Sequence, residues 1–573
     1  MIKKLFPCLK GYGKYALLAP ITIIFEVLLE IRIPYYMSKI IDVGIANKDI
    51  NYIIKTGAMM ALMAVLSLIC GALSARFAAK GAMGFGKNLR RSVFNKIQEF
   101  SFANCDKFST ASLITRLTTD VTMTQHTFMM LIRTFVRSPI MLVTATIMAA
   151  NLNSKLSFVF LVSIPILGTA LAVIMVMAFP RFRKMLACYD KMNGSIQENL
   201  IGVRVVKSFV REDYENEKFN QRAETLRQTQ LSAERMIICN MPIMQLVVYS
   251  CIIAILWFGG NMVIAGTMDN GALISFITYV SQILMSLMMI SMFFVSFVMT
   301  RASVTRIAEV LNETPDIPDV DSENKVTEGS VTFNNVSFSY DKNPDNLHLE
   351  DINLTINPGE TVGIIGGTGS SKTSLVQLIP RLYDVLEGQV LVGGRDVREY
   401  SLAELRSAVG MVLQKNVLFS GTIVDNLKWG NPNATTEEII SACQAAQAHD
   451  FIMSFPDGYE TVLGQGGVNV SGGQKQRLCI ARALIKKPKI IILDDSTSAV
   501  DTATDASIRK ALHEKLSGTT TIIIAQRITS VCDADKIVVM DNGRINAVGT
   551  HEELLESNEI YREVYESQQK GVA

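Results

Sequence analysis

An all-α membrane domain of six helices, followed by an α/β P-loop domain, is the fold class this sequence predicts. Three observations carry it: six long apolar runs confined to the first 300 residues, a change of character after Arg301, and a strand, a glycine-rich turn and a helix start in that order at 361–375. The expected organisation is a membrane domain over 1–305 with two cytoplasmic extensions, a linker over 306–329, and the α/β domain over 330–573.

The apolar runs lie at roughly 15–38, 56–78, 132–152, 156–179, 243–266 and 272–298. Each has about 20 residues or more, enough to cross ~30 Å of hydrocarbon as a helix. With 49% hydrophobic and 19% charged residues and a mean hydropathy of +0.27, the chain is too apolar for a purely soluble protein. Its partner environment is therefore a lipid bilayer. A net charge of +2 gives no reason to expect nucleic acid. Nine scattered cysteines without C-x-x-C spacing argue against zinc and against a disulfide framework, and fit a reducing compartment. The start "MIKKLFPCLKGYGKYALL" has basic residues but no small-residue cleavage site, and reads as a retained, short amphipathic helix on the membrane surface.

Charge sets the topology. The segment 79–130 carries Lys80, Lys87, Arg90, Arg91, Lys96, Lys107 and Arg116, and 180–242 carries Arg181, Arg183, Lys184 and Lys191. The connections "NLNSK" (151–155) and "GTMDNG" (266–271) are short and nearly uncharged. Both long segments and both termini are thus expected in the cytoplasm of a multi-pass cell-membrane protein. The long segments read as helix extensions with tips at "CDKFSTASLITRL" (105–117) and "ENLIGVRVVKSFVRE" (198–212). The stretch "NETPDIPDVDSENKVTEG" (312–329) is polar, acidic and Pro-containing, as a linker should be.

In the α/β part, "TVGIIGGTGSSKTSL" (361–375) is a phosphate-binding loop. Backbone N–H groups and a helix N-terminus would cradle phosphates, Lys372 would reach the β- and γ-oxygens, and Thr373 would hold Mg²⁺. The strict pattern has Gly before the Lys, where Ser371 stands here. About 100 residues later come "NVSGGQKQRLCIARAL" (469–484), "IIILDD" (490–495) and "AQR" (525–527). In this order the motifs resemble the nucleotide-binding domain of an ATP-binding-cassette (ABC) transporter. The six membrane runs with two cytoplasmic extensions resemble the membrane domain of its type IV exporters.

The resemblance implies ATP and Mg²⁺ as cofactors and assigns roles. Tyr340, in "VSFSY", would stack on adenine, and Gly366, Thr368, Gly369, Ser370, Ser371, Lys372, Thr373 and Ser374 would wrap the phosphates. Gln414 would touch Mg²⁺ and sense the membrane domain; Asp494 would hold Mg²⁺ through water. Ser471, Gly472, Gly473 and Gln474 would form the signature loop that presses on ATP bound to the opposite subunit, and "SAVD" (498–501) the D-loop. The two extension tips would be coupling helices.

Two positions depart from the family pattern. The residue after the Mg²⁺ carboxylate is usually Glu; Asp495 is shorter by about one carbon–carbon bond, ~1.5 Å. A misplacement near 1 Å can cost on the order of 10²-fold. The usual switch His is Gln526, which can donate a hydrogen bond but cannot titrate. An intact signature loop beside a weakened acid–base pair implies one half of a heterodimeric exporter, with a second half-transporter as partner and this chain's own site slow or non-hydrolytic. "LIPRLYDVLEGQV" (378–390) and "DNLKWG" (425–430) resemble the degenerate halves of bacterial heterodimeric multidrug exporters, and Gln465 replaces a usual Glu before the signature. Hydrophobic small molecules are the expected cargo; a lipid or peptide exporter, or a nucleotide-binding regulatory membrane subunit, are the alternatives. Glu26 and Glu30, one helical turn apart in the first run, either line a cavity for cationic compounds or pair near the outer interface, Glu30 with Arg32 or a neighbour. The Met-rich run "ILMSLMMISMFF" (283–294) offers adaptable apolar surface.

Overall fold

A computed structural model describes residues 5–496, 500–515 and 518–570, and divides into two units. One comprises 1–98 with 109–313, the other 99–108 with 314–573. The first is all helix: α1 (Gly13–Glu30), α2 (Arg32–Lys39), α3 (Ile50–Gln98), then α4 (Phe102–Phe108, which sorts with the second unit), α5 (Thr110–Thr115), α6 (Val121–Ile132), α7 (Thr134–Leu152), α8 (Phe158–Ile201), α9 (Val203–Ser208), α10 (Glu212–Ile238), α11 (Asn240–Ile264) and α12 (Asn270–Asn312). At about 1.5 Å per residue, the 49 residues of α3 span roughly 70 Å, over twice the hydrocarbon thickness. The cytoplasmic extensions are thus continuous with the membrane helices.

Among the described residues, five helical spans are long and apolar enough to cross a membrane, over 50–98, 110–152, 158–201, 212–264 and 270–312. The sixth expected run, 15–38, is helical but broken at Ile31, and its 18-residue first piece holds Lys14, Glu26 and Glu30. The break has a local cause: Pro34 has no N–H to return to the carbonyl of Glu30. Two other carbonyls at the break accept from α12, where the Tyr279 hydroxyl donates to Ile31 O at 3.0 Å and the Ser275 hydroxyl to Pro34 O at 2.6 Å. Backbone polar groups at membrane depth need such partners. Close approach of α1 and α3 uses small residues: a Cβ on Gly81 would lie 3.3 Å from Ala16 N, and Ser74 donates to Ala19 O.

Of the two partners open to it, Glu30 takes a neighbour, Arg137 of α7 at 2.5 Å, and Arg137 also lies 3.7 Å from Glu26. Of the expected N-terminal surface helix, residues 1–4 lie outside the described residues; the described part forms a 3₁₀ turn at Phe6–Leu9, anchored to α3 by Asn88, whose side chain donates to the carbonyls of Cys8 and Lys10. The linker expected over 306–329 begins later, because α12 continues to Asn312. Arg306 on that last stretch makes a two-point bond to Asp120, a fully buried carboxylate, at 2.7 and 2.5 Å.

The second unit holds three sheets, two large ones and a two-stranded antiparallel pair. Strands are β1 (Val331–Phe338), β2 (Leu349–Ile356), β3 (Thr361–Gly366), β4 (Glu387–Val392), β5 (Arg395–Asp396), β6 (Val409–Val412), β7 (Gly421–Thr422), β8 (Val462–Leu463), β9 (Ile490–Asp494), β10 (Thr520–Ile524), β11 (Lys536–Asp541) and β12 (Arg544–Gly549). An antiparallel sheet runs β2-β1-β4-β5, and a larger sheet runs β12-β11-β3-β10-β9-β6, parallel except for β12. The small pair is β7 with β8. The run "IIILD" of β9 is buried throughout, as expected of a parallel strand covered on both faces. The helices that matter below are α13 (Lys372–Gln377), α14 (Gly472–Ile485), α15 (Thr502–Lys515), α16 (His551–Ser557) and α17 (Glu559–Lys570). Residues 313–330 have no regular structure but are tied down, Asp319 accepting from the Leu402 N–H at 2.8 Å and Asn324 donating to Glu399 O.

Candidate nucleotide site

Parallel pairing aligns the C-terminal ends of β3, β10 and β9, with Ile524 opposite both Ile364 and Asp494. Ligands of open α/β sheets bind at such ends. The end of β3, the loop after it and the first turn of α13 hold Gly366, Thr368, Gly369, Ser370, Ser371, Lys372, Thr373 and Ser374 there, with Asp494 at the end of β9, Asp495 just past it, and Gln526 just past the end of β10.

Ser371 has φ +66°, the left-handed conformation that suits glycine, which explains the usual Gly and shows that Ser is accommodated. Gly369 turns with φ +87°. The Lys372 ammonium donates to the carbonyls of Gly366 and Gly367, both at 2.8 Å, and to Ser370 Oγ at 3.2 Å. Burial holds its pKa below the usual lysine value, opposed by Asp494 and Asp495. Thr373 Oγ1 donates to Asp494 Oδ1 at 3.1 Å, while Asp494 Oδ2 is buried without a partner. Burial raises the Asp494 pKa, against the Thr373 bond, with Asp495 adding repulsion. A hydroxyl beside a buried carboxylate with a free oxygen is a donor set that fits Mg²⁺.

Asp495 is a left-handed residue, φ +46°, whose N–H donates to Ile524 O at 3.0 Å. Gln526 Nε2 donates to its Oδ2 at 2.9 Å, and the nearby Gln414 amide favours the charged form of the same carboxylate. Burial raises its pKa, opposed first by Gln414, then by Lys372 and Gln526. Tyr340 donates to or accepts from Ser374 Oγ at 2.8 Å, so Ser374 is engaged with the aromatic side chain. Tyr340 also stands edge-on to Tyr383, whose hydroxyl donates to Asp106 of α4 at 3.0 Å.

The signature residues lie elsewhere. Ser471 caps α14: its Oγ accepts from Gln474 N–H and Gln474 Oε1 accepts from Ser471 N–H, a closed capping box. Ser471, Gly472 and Gly473 line a separate cleft of about 330 Å³ with Arg477, Val500 and Asp501. Ser498 and Ala499 of the expected D-loop lie outside the described residues. Gln465 sits in a 3₁₀ turn ahead of this loop. Sequence reasoning did not find Tyr383 or Gln568; the latter, on α17, bonds the backbone on both sides of Arg527. Gln568 falls in no motif, and Tyr383, though inside the run at 378–390, carries no role that the run implies.

A helical membrane unit followed by a phosphate-loop cassette with its own signature helix defines a membrane transporter powered by nucleotide. Residues 16–287 match the ABC transporter transmembrane region, and 349–498 the ABC transporter family. The chain is 38% identical over 567 residues to the uncharacterized ABC transporter ATP-binding protein YfiB of Bacillus subtilis, covering 99% of this chain and 98% of that one. It is 32% identical to the putative multidrug export ATP-binding/permease protein YgaD of Bacillus subtilis, covering 99% of both. It is 33% identical to the ATP-dependent lipid A-core flippase of Syntrophus aciditrophicus, over 84% of this chain and 80% of that one. Its fold matches a bacterial Atm1-family ABC exporter with ATP bound, with a TM-score of 0.85 and 24% identity over 97% of this chain and 99% of that one. The protein belongs to the ABC transporter family, as a multi-pass membrane member that joins one membrane region to one ATP-binding cassette.

Proposed function

We propose that this chain is one half of a heterodimeric ATP-driven exporter of hydrophobic compounds, and that its own ATP site is degenerate. The observation that carries this is the setting of Asp495. The side chain that would activate water is a short carboxylate whose Oδ2 already accepts from Gln526 at 2.9 Å. An amide such as that of Gln526 cannot take up a proton, so Gln526 cannot serve as a second base behind Asp495.

The phosphate loop is nonetheless equipped to bind. On nucleotide entry Lys372 exchanges its bonds to the Gly366 and Gly367 carbonyls for phosphate oxygens, and the α13 N-terminus supplies N–H groups. Thr373, Asp494 and Gln414 are the residues that would hold Mg²⁺, which when bound offsets the charge of the β- and γ-phosphates. Tyr340, 39% exposed and fixed by Ser374, is placed to meet the base.

A second half-transporter is supported by two surfaces. The signature cleft opens at an α14 N-terminus with no phosphate loop of its own. The tip around α9 exposes Leu200, Ile201, Val205, Phe209 and Val210. Hydrophobic cargo is supported by a cleft of about 860 Å³ between α8 and α11, lined by apolar side chains with Ser163, Ser250 and Asn261 among them. The relative named a multidrug exporter points the same way, and the one named a lipid A-core flippase keeps lipid as the second cargo class.

The test is co-expression with a candidate half-transporter that has Glu and His at the two weakened positions. ATP-dependent dye accumulation in inside-out vesicles is expected from the pair only. Lipid translocation without dye transport would move the cargo to lipid. Equal transport by this chain alone would end the heterodimer.

A further inference from the structure

We infer that Gln568 of the C-terminal helix is a positioning residue for the switch loop, and so for the nucleotide site. β10 stops pairing at Ile524, and the chain then crosses the site as Ala525–Gln526–Arg527 before a 3₁₀ turn at Ile528–Ser530. Past a strand end the backbone loses its ladder partners, and the first N–H of a helical turn has none. Both needs are met by one side chain. Gln568 Nε2 donates to Gln526 O at 2.8 Å, and Gln568 Oε1 accepts from Ile528 N–H at 2.9 Å. The amide brackets Arg527 and fixes the peptide that carries the Gln526 side chain. That side chain in turn donates to Asp495.

The helix holding Gln568 is itself anchored. Tyr561 is fully buried, and its hydroxyl bonds His551 Nδ1 of α16 at 2.7 Å. Val564 and Tyr565 pack against the cluster containing Ala525, Ile528 and Val531, which flank the switch residue. Tyr561, Tyr565 and Gln568 are spaced i, i+4, i+7, one face of the helix. A rigid helix therefore sets the height of the switch loop through a two-point amide contact, and displacing α17 would loosen the hold of Gln526 on Asp495. This rests on the reading of Gln526 as the residue that faces the γ-phosphate.

The experiment uses the full chain in lipid nanodiscs. Gln568→Met removes both bonds at similar size; Gln568→Glu keeps the acceptor for Ile528 N–H and loses the donor to Gln526 O. Hydrogen exchange reads the Ile528 amide, and stopped-flow reads release of a fluorescent ATP analogue. Losing these bonds is expected to speed Ile528 exchange and nucleotide release by about fivefold each in the Met variant, with the Glu variant between. Wild-type exchange in Gln568→Met, or faster exchange with unchanged release, overturns the proposal. If the Met variant does not fold, the Glu variant alone decides, by its release rate. Gln526→Ala runs alongside: if it releases nucleotide at the wild-type rate, the reading of Gln526 is the part that fails.

Discussion

Ser371 occupies φ +66° directly before the phosphate-loop lysine, where only a small, unbranched residue fits cheaply. Strain of this kind costs about 1–3 kcal/mol when a side chain cannot adapt. Ser371→Gly should therefore keep or improve ATP affinity, whereas Ser371→Val should weaken it by roughly tenfold or more, read by fluorescent-nucleotide titration. The neighbouring pair makes a second residue-level claim. Asp495→Glu restores carboxylate reach, and Gln526→His restores a titratable contact while giving up the 2.9 Å amide bond to Asp495. Positioning and charge stabilisation act on one transition state, so the double change should raise turnover at this site more than either single change. The measurement is ATPase in a complex whose partner site is disabled and whose partner signature loop is intact; no gain with normal binding would show that these two residues do not limit the site.

Between residues and the whole chain stand the elements that hold the cytoplasmic end of the membrane unit. Asp120 is fully buried in a π-helical turn and bonded at two points by Arg306, which is 45% exposed. Removing one partner of a buried pair strands the other, at about 3–5 kcal/mol when the stranded charge is buried. Here the cost is asymmetric: Arg306→Ala leaves a buried carboxylate, while Asp120→Ala leaves a guanidinium already half in water. Arg306→Ala should be the more damaging, and the double alanine variant milder than Arg306→Ala, in thermal unfolding of detergent-solubilised protein. This clamp illustrates what the sequence could not give. The strand ends were legible, because β-branched runs such as "IIILDD" stop at polar residues and the phosphate loop has fixed spacing. Five of the six expected membrane runs coincide with helical spans long and apolar enough to cross a bilayer; the first, with its three charges, does not. The Arg137 partner of Glu30, the Asp120–Arg306 pair and the Gln568 bracket each join residues forty or more positions apart. No local pattern encodes such pairings, and an isolated Gln or Arg on a polar helix face looks like any solvated side chain.

At the scale of the whole molecule, the two halves of the ATP chemistry sit on different parts of the cassette. The phosphate loop gathers Lys372, Thr373, Asp494 and Asp495, while Ser471, Gly472 and Gly473 line their own cleft with Asp501. If the chain works beside a competent partner, its signature loop completes the partner's hydrolytic site and its phosphate loop serves only the weakened one. Substitutions in the two places should then have unequal effects on the assembled pair. Ser471→Arg places a long cation at the α14 N-cap, removes the Oγ that accepts from Gln474 N–H, and fills the cleft. Gly472→Asp adds bulk and negative charge where a γ-phosphate would dock. Either should abolish ATPase of the complex. Losing the cap alone costs only about 1 kcal/mol, so Ser471→Ala should leave the cassette folded and separates stability from docking. On the proposed reading, Lys372→Ala removes the cation of the weaker site and should leave a substantial part of the activity. The check is steady-state ATPase of the purified pair with each variant. Abolition by Lys372→Ala together with near-normal turnover in Ser471→Arg would assign the competent site to this chain and reverse the roles of the two subunits.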